Sequence, residues 1–136
     1  LEISFRLNDY RHIKLTNKID SENLKVKDTN YFNKISKEFL VEELKKEFNG
    51  KIVVITHHLP SLNCANPKWR NSTILSAFVN YMDDFILNNK IDYWIFGHQH
   101  EFVKMNIGNT IMLSNPLGYS REPNFKLFKS DKLFEI

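Results

Sequence analysis

Residues 51–56 (KIVVIT) and 91–96 (IDYWIF) constrain this chain more than any other part of it. Both are short, and both are rich in β-branched or aromatic side chains with little polar alternation. That pattern predicts strands buried on both faces, and such strands belong in a parallel sheet covered by helices. Each run leads into histidines: His57-His58-Leu59-Pro60 after the first, Gly97-His98-Gln99-His100 after the second.

The intervening segments supply the helices. Phe39, Leu40, Leu44 and Phe48 share one face of a helix predicted over residues 36–48, with Glu42 and Lys46 as an i,i+4 pair on another face and Asn49-Gly50 as its stop. A loop rich in Pro, Asn and Ser covers residues 61–71. A second helix is expected over residues 72–89, with Leu75, Phe78, Val79, Met82, Phe85 and Ile86 as its apolar stripe. Residues 1–34 read as an irregular polar lead-in. Past the second histidine group, residues 103–105, 110–114 and 125–128 read as short strands, with residues 132–136 as one more. Strands alternating with helices define an α/β (α+β) class and a mostly parallel sheet. Ligands of such sheets bind beyond the carboxyl ends of the strands, where both histidine groups fall.

At 136 residues the chain is expected to form a single domain with one core. No apolar run is long enough to cross a bilayer, so a membrane role is not expected. The start, Leu1-Glu2-Ile3-Ser4, has neither the basic opening nor the apolar stretch of a signal peptide, and with no initiator Met it reads as a point partway through a longer protein. A net charge of +3 with scattered Lys and Arg does not call for a nucleic-acid partner. The single cysteine, Cys64, excludes an internal disulfide and fits a reducing, cytoplasmic setting. It has no acid–base neighbour in sequence and reads as an incidental loop thiol.

Neutral imidazole is a ligand for borderline transition metals. Taken alone, an H-x-H or His-His pair is equally a surface or helix-capping feature. Their joint position at the ends of two neighbouring strands favours a metal role. Gly97 is expected to free the backbone there so that His98 and His100 turn toward one site. Two adjacent ions would polarise a phosphoryl group and supply hydroxide at neutral pH.

Four segments, in order, carry a resemblance: Asn8-Asp9-Tyr10; Thr56-His57-His58-Leu59-Pro60-Ser61; Gly97-His98-Gln99-His100; and Asn115-Pro116-Leu117-Gly118-Tyr119. Together they resemble the C-terminal half of the calcineurin-like metallophosphoesterases, in a bacterial Ser/Thr phosphatase-like branch. The resemblance implies half of a four-layer α/β/β/α sandwich and a dinuclear site of Mn, Fe, Zn or Ni acting on a phosphate ester. It implies that His57 and His98 hold one ion and His100 the other, with His58 behind the ligands or against substrate. In the loop after His57, Lys68 and Arg70 are candidates for binding substrate phosphate, and Trp69 for stacking on a base or covering the cleft.

The same family carries D-x-H, G-D and G-N-H-[DE] motifs upstream, and this chain has none of them. Leu117 stands where the branch has Arg, a role that Lys68, Arg70 or Arg121 would have to take. The chain is therefore expected to be inactive alone and to need the N-terminal half of the same protein as its partner. The alternative is a non-catalytic scaffold of this fold that binds other proteins; it has no use for His57, His98 and His100 together.

Overall fold

The structure, a computed structural model, describes residues 2–16 and 21–131. The chain divides into two compact units, residues 1–48 and 49–136.

The first unit is helical: α1 (Glu2–Arg6), α2 (Asp9–His12) and α3 (Val26–Leu44). The lead-in is thus largely ordered, and the predicted helix over 36–48 starts ten residues earlier and ends at Leu44. Asp28 explains the earlier start. Its carboxylate accepts the Lys25 N–H at 2.9 Å, which caps the helix and places negative charge at its N-terminal dipole. Thr29 and the neighbouring Asn residues are weak helix formers, so composition hides this turn. Thr29 is used for tethering: its hydroxyl donates to the Val26 carbonyl at 2.9 Å and meets the Tyr10 hydroxyl of α2 at 3.0 Å.

The second unit is built on a four-stranded mixed sheet: β1 (Val53–Ile55), β2 (Tyr93–Ile95), β3 (Val103–Ile107) and β4 (Thr110–Ser114), in the order β1-β2-β4-β3. The first three strands in that spatial order are parallel, and β3 is antiparallel to β4. This is the mixed α/β class that the alternating pattern predicts. Trp94 and Met112 are fully buried at the centre, with Leu59, Ile86, Ile91 and Leu113 around them. The β3–β4 hairpin turns on Gly108-Asn109 between the paired Ile107 and Thr110. Gly108 has φ +56° and Asn109 is not left-handed, the pattern of a type II′ turn with glycine at its first loop position.

The helix predicted over 72–89 is replaced by a 3-10 turn at Leu75–Ala77 and a short α4 (Asp83–Leu87). Backbone pairing overrides the periodic stripe. Leu59 N–H donates to the Phe78 carbonyl at 3.0 Å, Asn80 N–H to Leu59 at 2.9 Å, and Met82 N–H to Pro60 at 2.7 Å. A helix through 78–82 would leave the buried Leu59-Pro60 backbone without these partners. Tyr81, at φ +48°, makes the bend into α4. The buried Ser61 hydroxyl then donates to Asp83 Oδ1 at 2.6 Å, fixing the start of α4. The strand predicted over 125–128 is part of a 3-10 segment, Pro123–Leu127, whose leading proline pre-sets the helical φ. The strand predicted over 132–136 lies outside the described residues.

Gly108→Ala should destabilise this unit by more than about 1 kcal/mol, because alanine at positive φ is strained. The added Cβ would also stand 2.8 Å from the end of Leu87. The urea midpoint measured by circular dichroism checks this, with Asn109→Ala as the milder comparison.

Candidate metal centre and its cleft

The parallel register brings the two histidine groups together. The ladder continues past the strands: Thr56 N–H donates to the Ile95 carbonyl and Gly97 N–H to the His57 carbonyl, both at 3.0 Å. Trp94 carries its indole N–H into the core, and Thr56 Oγ1 accepts it at 3.0 Å. The same hydroxyl donates onward to the His58 carbonyl at 2.9 Å. A buried indole needs an acceptor, and here the acceptor also fixes the turn that holds His57 and His58.

His57, His58 and His98 gather at that corner, with one ring nitrogen from each within 4.8 Å of the others. His57 Nε2 and His98 Nδ1 are 3.3 Å apart. Two nitrogens on one tetrahedral ion with bonds of 2.0–2.1 Å are separated by about 3.3–3.4 Å, so this spacing matches a shared metal edge. Three neutral imidazoles fit a transition metal such as Zn, Mn, Fe or Ni. Among the described residues no carboxylate joins this group. Phe78 stacks on His98, ring centroids 4.0 Å apart, and lies edge-on to His58 at 5.5 Å.

His100 goes elsewhere. Its Nδ1 meets Glu122 Oε2 at 2.8 Å, and its ring meets Tyr119 edge-on at 4.8 Å. His98 and His100 separate in this way because both are left-handed, at φ +68° and +52°. Gly97 is not left-handed, and a Cβ added there would make ordinary contact with His57 Nδ1 at 3.6 Å. The conformational burden expected of the glycine is carried by the histidines, a sparsely populated backbone state that clusters at functional sites. Gln99, between them, is locked to the 61–71 loop: its amide donates to the Cys64 carbonyl at 2.6 Å and accepts from Asn66 N–H at 2.9 Å.

That loop places the predicted cations. Lys68 Nζ pairs with Glu101 Oε1 at 2.8 Å, while Asn124 donates to the other oxygen at 2.6 Å. Burial pushes the Glu101 carboxyl up, but the hydrogen bonds and charge of Lys68, with Asn124 and Asn66, outweigh it and hold the group below the usual carboxylate range. The charge of Lys68 is therefore already matched. Lys68 also lies over the ring of the half-exposed Trp69, 5.3 Å from its centroid. Arg70 and Arg121 are exposed. A cleft of about 250 Å³ opens here, lined by apolar Trp69, Leu75 and Phe78 and by polar His98, Gln99, His100 and Glu122.

Glu122 and Asn124 are absent from the sequence-level site. Their signal was the adjacent Asn115–Tyr119 segment, which ends against His100. Cys64 is buried, and burial first, then the charge of Asp83, pushes its thiol up to about 12. A thiol so raised holds little of the thiolate that a nucleophile needs.

Histidines gathered at the carboxyl ends of parallel strands, around an amphipathic cleft, define a candidate metal-binding α/β domain. The family model for calcineurin-like phosphoesterases matches residues 4–102, and the chain belongs to that family. It is also similar to an uncharacterized protein of Acanthamoeba polyphaga mimivirus, 35% identical over 132 residues, covering 90% of this chain and 45% of that protein. The chain thus spans less than half the length of that relative. No solved structure matches. Among the described residues, no helix is long and apolar enough to cross a membrane.

Two outcomes follow from this geometry. Thr56→Val should cost about 1–3 kcal/mol in urea unfolding, because the buried Trp94 N–H loses its acceptor. Cys64 should stay unmodified by iodoacetamide at about pH 8 in the folded protein, since a thiol raised to about 12 holds almost no thiolate there. On unfolding it should react at once, as mass spectrometry would show.

Proposed function

We propose that the protein is a metal-dependent phosphoesterase that cleaves phosphate esters at a dinuclear site, to which this chain contributes the C-terminal ligands. The reading rests chiefly on the 3.3 Å separation of His57 Nε2 and His98 Nδ1 at adjacent strand ends. His57 and His98 would hold one transition-metal ion and His100 would serve the second. His58, its nitrogen within the same cluster, would complete the first ion's shell or touch substrate. When bound, such ions polarise the phosphoryl group and lower the pKa of a coordinated water.

The chain's own residues supply position and exclusion. Thr56 and Trp94 set the His57–His58 turn. Phe78 and Trp69 give the cleft apolar lining, against which the ester's alcohol portion would lie. Of the two loop cations, Arg70 suits substrate phosphate better, since Lys68 is matched by Glu101. The carboxylates of the dinuclear set would come from an N-terminal half of the same protein. A bacterial Ser/Thr phosphatase-like branch and a cytoplasmic, reducing setting accord with the Asn115–Tyr119 segment and the lone buried thiol.

One observation favours a second reading. No carboxylate among the described residues joins the three imidazoles, as in a scaffold that binds partner proteins without catalysis. Zinc titration against a chromophoric chelator separates the two. The hydrolase reading expects about one tight equivalent per chain, lost at least tenfold in affinity in His98→Ala. Wild-type zinc uptake in a folded His57→Ala/His98→Ala variant would sink it.

A further inference from the structure

Beyond the metal cluster, one ionisable pair lines the cleft: His100 and Glu122. Glu122 Oε2 receives two groups, the backbone N–H of Tyr119 at 2.9 Å and Nδ1 of His100 at 2.8 Å. The Tyr119 amide can only donate, so that oxygen is serving as an acceptor. An oxygen already placed to accept from an amide is placed to accept from the ring as well. Nδ1 must then carry the proton, which leaves Nε2 as the ring's lone-pair nitrogen.

The backbone is built around this pair. Gly118 has φ +67°, and a Cβ there would fall 2.6 Å from Glu122 Oε2 and 3.4 Å from His100 Cβ. Only glycine lets the carboxylate reach the ring at this point. On the other side, Asn124 donates to the His100 carbonyl at 3.1 Å and to Glu101 at 2.6 Å, holding the left-handed His100 in place.

We propose that Glu122 is the positioning residue of His100, locking it in the Nδ1–H tautomer so that Nε2 is the nitrogen offered to a metal ion or a phosphoryl group in the cleft. The arrangement is that of a ligand histidine whose other nitrogen is held by a carboxylate. The use of Nε2 rests on the phosphoesterase reading; the tautomer does not.

The test is a long-range ¹⁵N–¹H correlation spectrum of the metal-free protein at about pH 8, where an ordinary imidazole is neutral. His100→Ala assigns the signals. The wild type should show His100 protonated at Nδ1 with Nε2 bare. Glu122→Ala should move the ring to the Nε2–H form that free imidazole side chains favour. Glu122→Gln, whose amide oxygen still accepts, should keep most of the Nδ1–H form and covers the case in which the alanine variant does not fold. An Nε2–H or imidazolium signature in the wild type, or a folded Glu122→Ala or Glu122→Gln spectrum that contradicts these shifts, would overturn the assignment. Either result leaves the zinc titration of the His57 cluster to decide the phosphoesterase reading separately.

Discussion

Trp94 is fully buried in the middle strand of three parallel ones, and its indole N–H has one acceptor, the Thr56 hydroxyl at the end of the next strand. Much of the site follows from that bond. Thr56 can accept from Trp94 only if β1 and β2 run in the register seen, with Ile55 beside Ile95. That register sets His57 beside Gly97 and brings His98 to the same corner. Having accepted, the hydroxyl directs its own proton to the His58 carbonyl. Core packing and the geometry of the histidines are thus joined through a single side chain.

The second centre of the cleft depends on backbone state. A regular strand continuing through Gln99 would send His98 and His100 to opposite faces. With both histidines left-handed, one joins His57 and His58 while the other meets Glu122. Gln99 binds this strained stretch to the 61–71 loop through both ends of its amide. Strain at the site is offset by hydrogen bonds to a loop that also carries Trp69 and Lys68.

Much of this was legible from residue order. The runs KIVVIT and IDYWIF are strands, parallel and adjacent, and the histidines lie at their carboxyl ends. The α/β class follows from that, while the family resemblance needs the flanking Asn8–Tyr10 and Asn115–Tyr119 segments as well. Elements fixed by long-range pairing were not legible. Residues 72–89 carry a helical stripe, yet the buried backbone of Leu59-Pro60 claims Phe78–Met82 as its partner. At α3 the miss is local: Asp28, three residues after Lys25, starts a helix that Asn-rich composition conceals. The left-handed histidines, and the partnership of His100 with Glu122, depend on close approach between segments that no spacing rule records. The match of Lys68 to Glu101 belongs to the same class: a cation in a loop looks free until the fold supplies its carboxylate.

The central claim is that the imidazoles of His57, His58 and His98 form one metal site. X-ray absorption at the zinc edge, on the protein loaded with a single equivalent, tests it most directly. The account predicts a first shell containing imidazole nitrogens at about 2.0–2.1 Å, with one fewer in His98→Ala. A shell of oxygen alone, or one unchanged by His98→Ala, would contradict it.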